Sequence, residues 1–106
     1  MAAGGRWLKA MPSTVIHKEM GLTHTDFYRD IERVLGVGNF QKTDNGVIAD
    51  QGDKRLQIVL SEQSQRKIAL IVLPVTHLTF TFENYGEADL KAVMDLFDRV
   101  FRRGGG

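Results

Sequence analysis

The chain contains no cysteine among its 106 residues. Disulfide bonds, thiolate metal sites and cysteine nucleophiles are therefore excluded. A chain without cysteine is typical of a reducing compartment, so we expect a cytoplasmic protein.

Strong charge of one sign and long apolar segments are also missing. The formal net charge is +1, which gives no strong field to attract nucleic acid or an anionic membrane. The longest apolar run covers residues 68–75 and is too short to span a bilayer. The first 20 residues show no continuous apolar segment of the kind that a signal peptide needs.

The composition that is present is that of an ordinary globular domain. Apolar residues make up 42% and charged residues 25% of the chain. A chain of this length forms one domain and can bury a core without disulfides or a metal ion.

The N-terminal segment lacks apolar periodicity, because glycine, proline and serine interrupt it. Its composition predicts a disordered tail over residues 1–21, followed by a single domain over 22–103 and a flexible tail over 104–106. The alternative for the first segment is a short amphipathic anchor formed by Trp7, Leu8 and Met11.

A helix is predicted to follow the N-terminal segment. Thr23 and Asp26 have the spacing of a capping box, and Thr25 is an alternative N-cap. Either Gly36 or Gly38 is suited to end the helix. Apolar residues recur between them on one helical face, at Phe27, Ile31, Val34 and Leu35.

The middle of the chain is predicted to form strands. The segments are 40–43, 47–49, 56–60, 67–73 and 77–83. Asn45-Gly46 predicts a hairpin turn, since both residues tolerate a positive φ. Residues 67–73 are apolar on both faces of the predicted strand, which is typical of a strand buried on both sides, and Pro74 is expected to end it.

A second helix is predicted over residues 87–101. Its apolar stripe consists of Leu90, Val93, Met94, Phe97, Val100 and Phe101. Phe97 of this stripe and Phe80 of the last strand are predicted to lie at the centre of the core.

The order of elements predicts an α+β fold. Short connections favour an antiparallel meander of four to five strands. Each helix has one apolar face, so the simplest arrangement is a two-layer sandwich with the N-terminal and C-terminal helices packed on one face of the sheet.

No motif carries specific chemistry. The histidines, His17, His24 and His77, are seven and more than fifty residues apart and have no carboxylate cluster beside them. We therefore predict no metal site, no cofactor and no catalytic residue, and an enzyme is the less favoured reading.

Two resemblances are confined to short features. The order of elements is similar to that of double-stranded-RNA-binding domains, but residues 86–89, which begin the second helix, are acidic where those domains are basic. Residues 102–106 resemble the Gly-Gly tails of ubiquitin-like proteins, which leave a strand and not a helix. No motif residue of the RNA-binding domains carries over, and the terminal glycines are better explained as the end of the helix.

A second sheet face remains apolar after the helix-facing residues are assigned. Val59, Ala69, Ile71 and Leu73 alternate with those residues and form a candidate interface. A monomer rarely exposes a large contiguous apolar patch. The sequence therefore favours a small protein–protein interaction domain that binds itself or another protein, possessing no membrane span. The alternatives, in order, are a domain that binds a small or apolar molecule and a nucleic-acid-binding domain.

Overall fold

The computed structural model describes residues 13–104 and has an α+β fold. The elements, in chain order, are β1 (Ser13–Met20), α1 (His24–Leu35), β2 (Gln41–Thr43), β3 (Gly46–Gln51), β4 (Lys54–Leu60), β5 (Ser64–Ile68), β6 (Ile71–Glu83) and α2 (Glu87–Gly104). All strand pairs are antiparallel, as predicted. The described residues form six strands, one more than the upper limit of the prediction.

The strand order departs from a simple meander. The strands are arranged β1-β6-β4-β3-β2, and β5 pairs only with β6. β2, β3 and β4 follow one another as neighbours, and β5 and β6 form a hairpin. β6 lies between β4 and β1 in the sheet, so the chain does not pass from strand to neighbouring strand throughout.

The first strand corrects the prediction of a disordered tail over residues 1–21. Ser13 pairs with Glu83, and the pairing continues to Met20 opposite Thr76. Ile16 and Met20 pack against the core, and burial alternates along this part of the strand with a period of two. The alternation is not evident in the sequence, because most residues of the segment are polar. Residues 1–12, on which the rest of the tail prediction and the alternative of an anchor fall, lie outside the described residues, as do residues 105–106.

The first helix begins and ends where the sequence predicts. The Thr23 hydroxyl accepts a hydrogen bond from the Asp26 backbone N–H at 3.0 Å, and the Asp26 carboxylate accepts one from the Thr23 backbone N–H at 3.3 Å. This is the expected capping box. The helix ends at Gly36, whose φ of 91° is readily adopted only by glycine.

The first hairpin is present, but its turn is shifted by one residue. Thr43 pairs with Gly46, so the two-residue turn is Asp44-Asn45. Positive φ is not what requires the glycine, since the backbone of Gly46 does not adopt it. A Cβ at this position would lie 1.8 Å from the backbone oxygen of Ile58 in β4, which leaves no space for any side chain.

The core gathers residues from one face of the sheet and from both helices. Phe80 and Phe97 are both fully buried, as predicted, and their rings meet edge to face at 4.9 Å between centroids. The Phe97 ring also stacks on Phe101 at 4.2 Å, and Phe101 stacks on Phe27 of α1 at 5.9 Å. The helix-facing residues of the sheet are Val47, Ala49, Leu56, Ile58, Leu60, Leu78, Phe80 and Phe82.

The predicted strand over residues 67–73 is wrong. A two-residue turn at Ala69-Leu70 divides this segment, so that Ile68 ends β5 and Ile71 begins β6. Pro74 does not end a strand but lies inside β6, opposite Gln65. The segment is apolar on both faces, yet it is exposed instead of buried on both sides.

Candidate interaction surface

A two-stranded ribbon, residues 64–75, extends beyond the rest of the sheet, and we call it the arm. It consists of β5, the turn and the first five residues of β6. The pairing of β6 with β1 begins at Thr76 and that with β4 begins at Leu78. Among the described strands, β5 is therefore the only neighbour of β6 in this region, and the arm leaves the body at Thr76.

The arm carries most of the large exposed apolar side chains of the described residues. Leu70 at its tip is 100% exposed, and Ile71 beside it is 58% exposed. The others are Ile68, Val72 and Leu73, each between 42% and 52% exposed. An exposed apolar surface of this kind, contiguous along one element, usually marks a binding site.

The two faces of the arm differ in polarity. β6 keeps one register against β1 and β4, so Ile71 and Leu73 lie on the sheet face away from the helices. Ile68 pairs with Ile71 and shares that face, which we call the outer face. The inner face of β5 carries Gln65 and Lys67 instead.

Hydrogen bonds hold the base of the arm in place. Ser61 exchanges backbone and side-chain bonds with His77: its N–H donates to the His77 carbonyl and its hydroxyl accepts from the His77 N–H, both at 2.9 Å. Nε2 of His24 donates to the Ser61 carbonyl at 2.8 Å, which joins the start of α1 to this point. The fully buried Thr76 hydroxyl donates to the Leu22 carbonyl at 2.9 Å. The arm therefore extends from an ordered base.

The structure divides the four predicted interface residues into two groups. Ala69, Ile71 and Leu73 lie on the arm, with Ala69 in the turn at a φ of 55°. Val59 is half-buried in β4, opposite Thr79 of β6. Thr79 is six positions from Leu73 along β6, so Val59 is about 20 Å from Leu73. The four residues do not form one patch.

Sequence reasoning missed Leu70, the most exposed large apolar side chain of the described residues, and its neighbour Val72. The pattern places both in a buried strand, because Ala-Leu carries none of the usual turn residues. One signal was available. A sheet whose helices lie on one face offers no cover for a strand that is apolar on both faces, so residues 67–73 had to lie outside such a sheet or be covered by something else.

Among residues 13–104, no three His, Asp or Glu side chains are placed to hold a metal ion together. Asp30 is buried, but Arg29 donates to both of its carboxylate oxygens, at 3.1 and 3.0 Å. These bonds lower the pKa of Asp30, which is the opposite of what a general acid needs.

Two larger clefts are present on the body, and both are open to solvent. One, of about 350 Å³, is formed by the loop after α1 with β2 and β3. The other, of about 320 Å³, lies between the end of β1 and α2, where Lys18 and Asp98 form an ion pair at 3.1 Å, and residues 19–21 bring it next to the base of the arm. The lining of both clefts is more polar than apolar, which does not favour an apolar ligand.

The arm has a smaller cleft at its base, of about 240 Å³. Its walls are the end of β1 on one side and the arm on the other, and they include Met20, Gly21, Pro74 and Val75. Arg66 and Glu19, which also line it, form an ion pair across it.

No helix within the described part of the chain is long and apolar enough to cross a membrane. No protein-family model matches the chain, and the comparison with curated proteins and with solved structures gives no significant match. The surface itself is therefore the only guide to function.

Proposed function

We propose that this protein is a small protein–protein interaction domain that docks through the arm. The observation that carries the proposal is the fully exposed Leu70 at the tip, followed by a row of half-exposed aliphatic side chains. Water contact with such side chains is unfavourable, and each of them gains on the order of 1 kcal/mol when a partner covers it. The proposal places the domain in the cytoplasm, since the cysteine-free chain needs no oxidising compartment.

The rest of the domain supports this role by presenting the arm. The buried faces of the helices and one face of the sheet make a single core, which is the basis for regarding the body as two layers. The hydrogen bonds at Ser61 and Thr76 connect that body to the arm. A binding element that is already ordered loses less conformational entropy when a partner docks.

The outer face of the body contributes less to the proposal. Val59 is half-buried and has threonine and glycine as its cross-strand neighbours, Thr79 and Gly46. A mixed surface of this kind suits the polar rim of an interface, whereas the arm suits its centre. We therefore assign Ile71 and Leu73 to the centre of the proposed interface.

Site-specific photo-crosslinking in the native cell tests the proposal. A photoreactive amino acid replaces Ile71 on the arm, and the matched control carries it at Val37, which is 78% exposed in the loop after α1. We expect discrete covalent protein adducts from position 71 and none from position 37. Equal labelling at both positions, or no adduct at position 71, would contradict docking through the arm.

A further inference from the structure

The outer face of the arm has the composition of a surface that is buried against another protein. Ile68, Ile71 and Leu73 lie on it, and Arg66 is its one charged residue. Arg66 is already paired with Glu19 of β1. A partner that covers this face therefore does not have to leave an unpaired charge at the centre of the contact, which would be costly.

The arm also carries two features that fit each other but are not in contact within one chain. Leu70 projects fully exposed from the tip, and the cleft of about 240 Å³ lies at the base beside Val75. An apolar cavity of roughly 150 Å³ already holds a molecule of benzene, so this cleft has room for a leucine side chain. The lining of the cleft extends along the arm to Ile68 and Leu73. Leu70 is nevertheless 100% exposed, so it does not occupy the cleft of its own chain.

Resting on the proposed function, we infer that the partner is a second copy of this chain, with the two arms packed antiparallel through their outer faces and Leu70 of each copy seated in the cleft at the base of the other. This arrangement has two-fold symmetry, in which each tip meets a base and the contact is repeated once. A large aliphatic side chain enclosed in a pocket is the kind of residue that dominates binding energy.

The available apolar area is a substantial part of what such a dimer buries. The exposed aliphatic side chains on the outer face and at the tip are Ile68, Leu70, Ile71 and Leu73, and together they present on the order of 400 Å² of apolar surface. A standard interface buries about 800 Å² on each partner. These side chains therefore account for about half of that area, and the lining of the cleft and the polar neighbours add to it.

Residues 1–12 of the same chain are poorly placed to cover the arm instead. Ser13, which follows them, pairs with Glu83 at the far end of β6. Ile71, at the other end of that strand, is about 40 Å away. Twelve fully extended residues span about the same distance, so they would reach the tip with no length left to pack along the arm.

Sedimentation velocity of the purified full chain at tens of micromolar, with variants of Leu70 and of the cleft, tests the inference. Leu70→Lys replaces the exposed leucine at the tip of the arm. Gly21→Leu fills the cleft from outside the arm, and the nearest heavy atom to a Cβ there is the Pro74 oxygen at 3.6 Å, an ordinary contact. Val37→Lys is the exposed control, and thermal unfolding shows whether each variant keeps its fold. We expect a wild-type dimer, a dissociation constant raised at least about 30-fold by each of the first two changes, and no effect of the control.

Because the chain has no cysteine, disulfide trapping gives a second measurement. A mixture of the Leu70→Cys and Gly21→Cys proteins should form a disulfide-linked heterodimer under mild oxidation, whereas a mixture of Val37→Cys and Gly21→Cys should not. A wild-type chain that is monomeric at these concentrations would overturn the inference. A dimer whose dissociation constant is unchanged by Gly21→Leu, and which forms no disulfide-linked pair, would show that Leu70 does not sit in the cleft of the other copy. If the chain is monomeric but position 71 crosslinks to a different protein in the cell, docking through the arm stands and only the second copy is wrong.

Discussion

Replacement of Phe97 by alanine tests the core on which the presentation of the arm depends. Phe97 is fully buried and its ring contacts Phe80 of β6 and Phe101 of the same helix. Removal of the ring empties roughly 100 Å³, and a cavity that does not collapse costs about 24 cal/mol per Å³, or about 2.4 kcal/mol. The favourable free energy of transferring the ring from water to the core is also lost, which adds about 2 kcal/mol. We therefore expect the free energy of unfolding to fall by about 4 kcal/mol.

Urea unfolding followed by far-ultraviolet circular dichroism measures this loss. The urea midpoint should fall while the slope of free energy against urea stays unchanged, and the melting temperature should fall on the order of 20 °C for a domain of this size. Val37→Ala, at an exposed position, should change the free energy of unfolding by less than about 0.5 kcal/mol. A loss below about 1 kcal/mol for Phe97→Ala would show that the ring is not packed between the sheet and the helices.

Two further predictions concern the backbone and the ion pair between Arg29 and the buried Asp30. Gly46→Ala should destabilise the domain by more than about 2 kcal/mol, because its Cβ would overlap the Ile58 oxygen, while Gly21→Ala should have little effect; equal urea midpoints for the two variants would contradict this. Since Arg29 lowers the pKa of Asp30 below its ordinary value of 3.8, the stabilisation from this pair is fully present above that value and is lost as the pH falls through the lower pKa of the folded state. Asp30→Asn should therefore flatten the fall in urea midpoint between neutral pH and about pH 2, and an unchanged pH profile would show that the carboxylate does not contribute.

The elements whose pattern is local were predicted from the sequence. The capping box at Thr23 and Asp26 and the glycine at position 36 define the ends of α1, and both are set by residues within one turn of each other. The apolar stripes that contain Phe80 and Phe97 were likewise sufficient to place these residues in the core, because burial follows the period of the element.

The elements that depend on distant partners were not predicted. Residues 13–20 are mostly polar and form a strand because they pair with the edge of β6, whose residues are more than fifty positions away in the sequence. Glycine is needed at position 46 because the Ile58 oxygen of β4 lies close to its Cα, and no pattern in the neighbouring sequence predicts that contact.

The candidate site shows the same division. From the sequence, residues 67–73 could be recognised as an apolar segment with a period of two, and the presence of a surplus apolar face followed from that. The sequence did not show that Ala69-Leu70 is a turn, since a turn without glycine, asparagine or proline has no local signature.

The sequence by itself determined that this is a cysteine-free α+β domain with more apolar strand surface than two helices cover. Those properties follow from composition and periodicity, which each segment carries independently of the others. Only the tertiary structure decided where the surplus surface lies, because β1 and β4 stop pairing with β6 beyond Thr76 and Leu78 and so leave residues 64–75 as an arm. Where the pairing of a strand ends depends on the lengths of its partner strands. The paired length is therefore a property of the assembled sheet and not of any one segment.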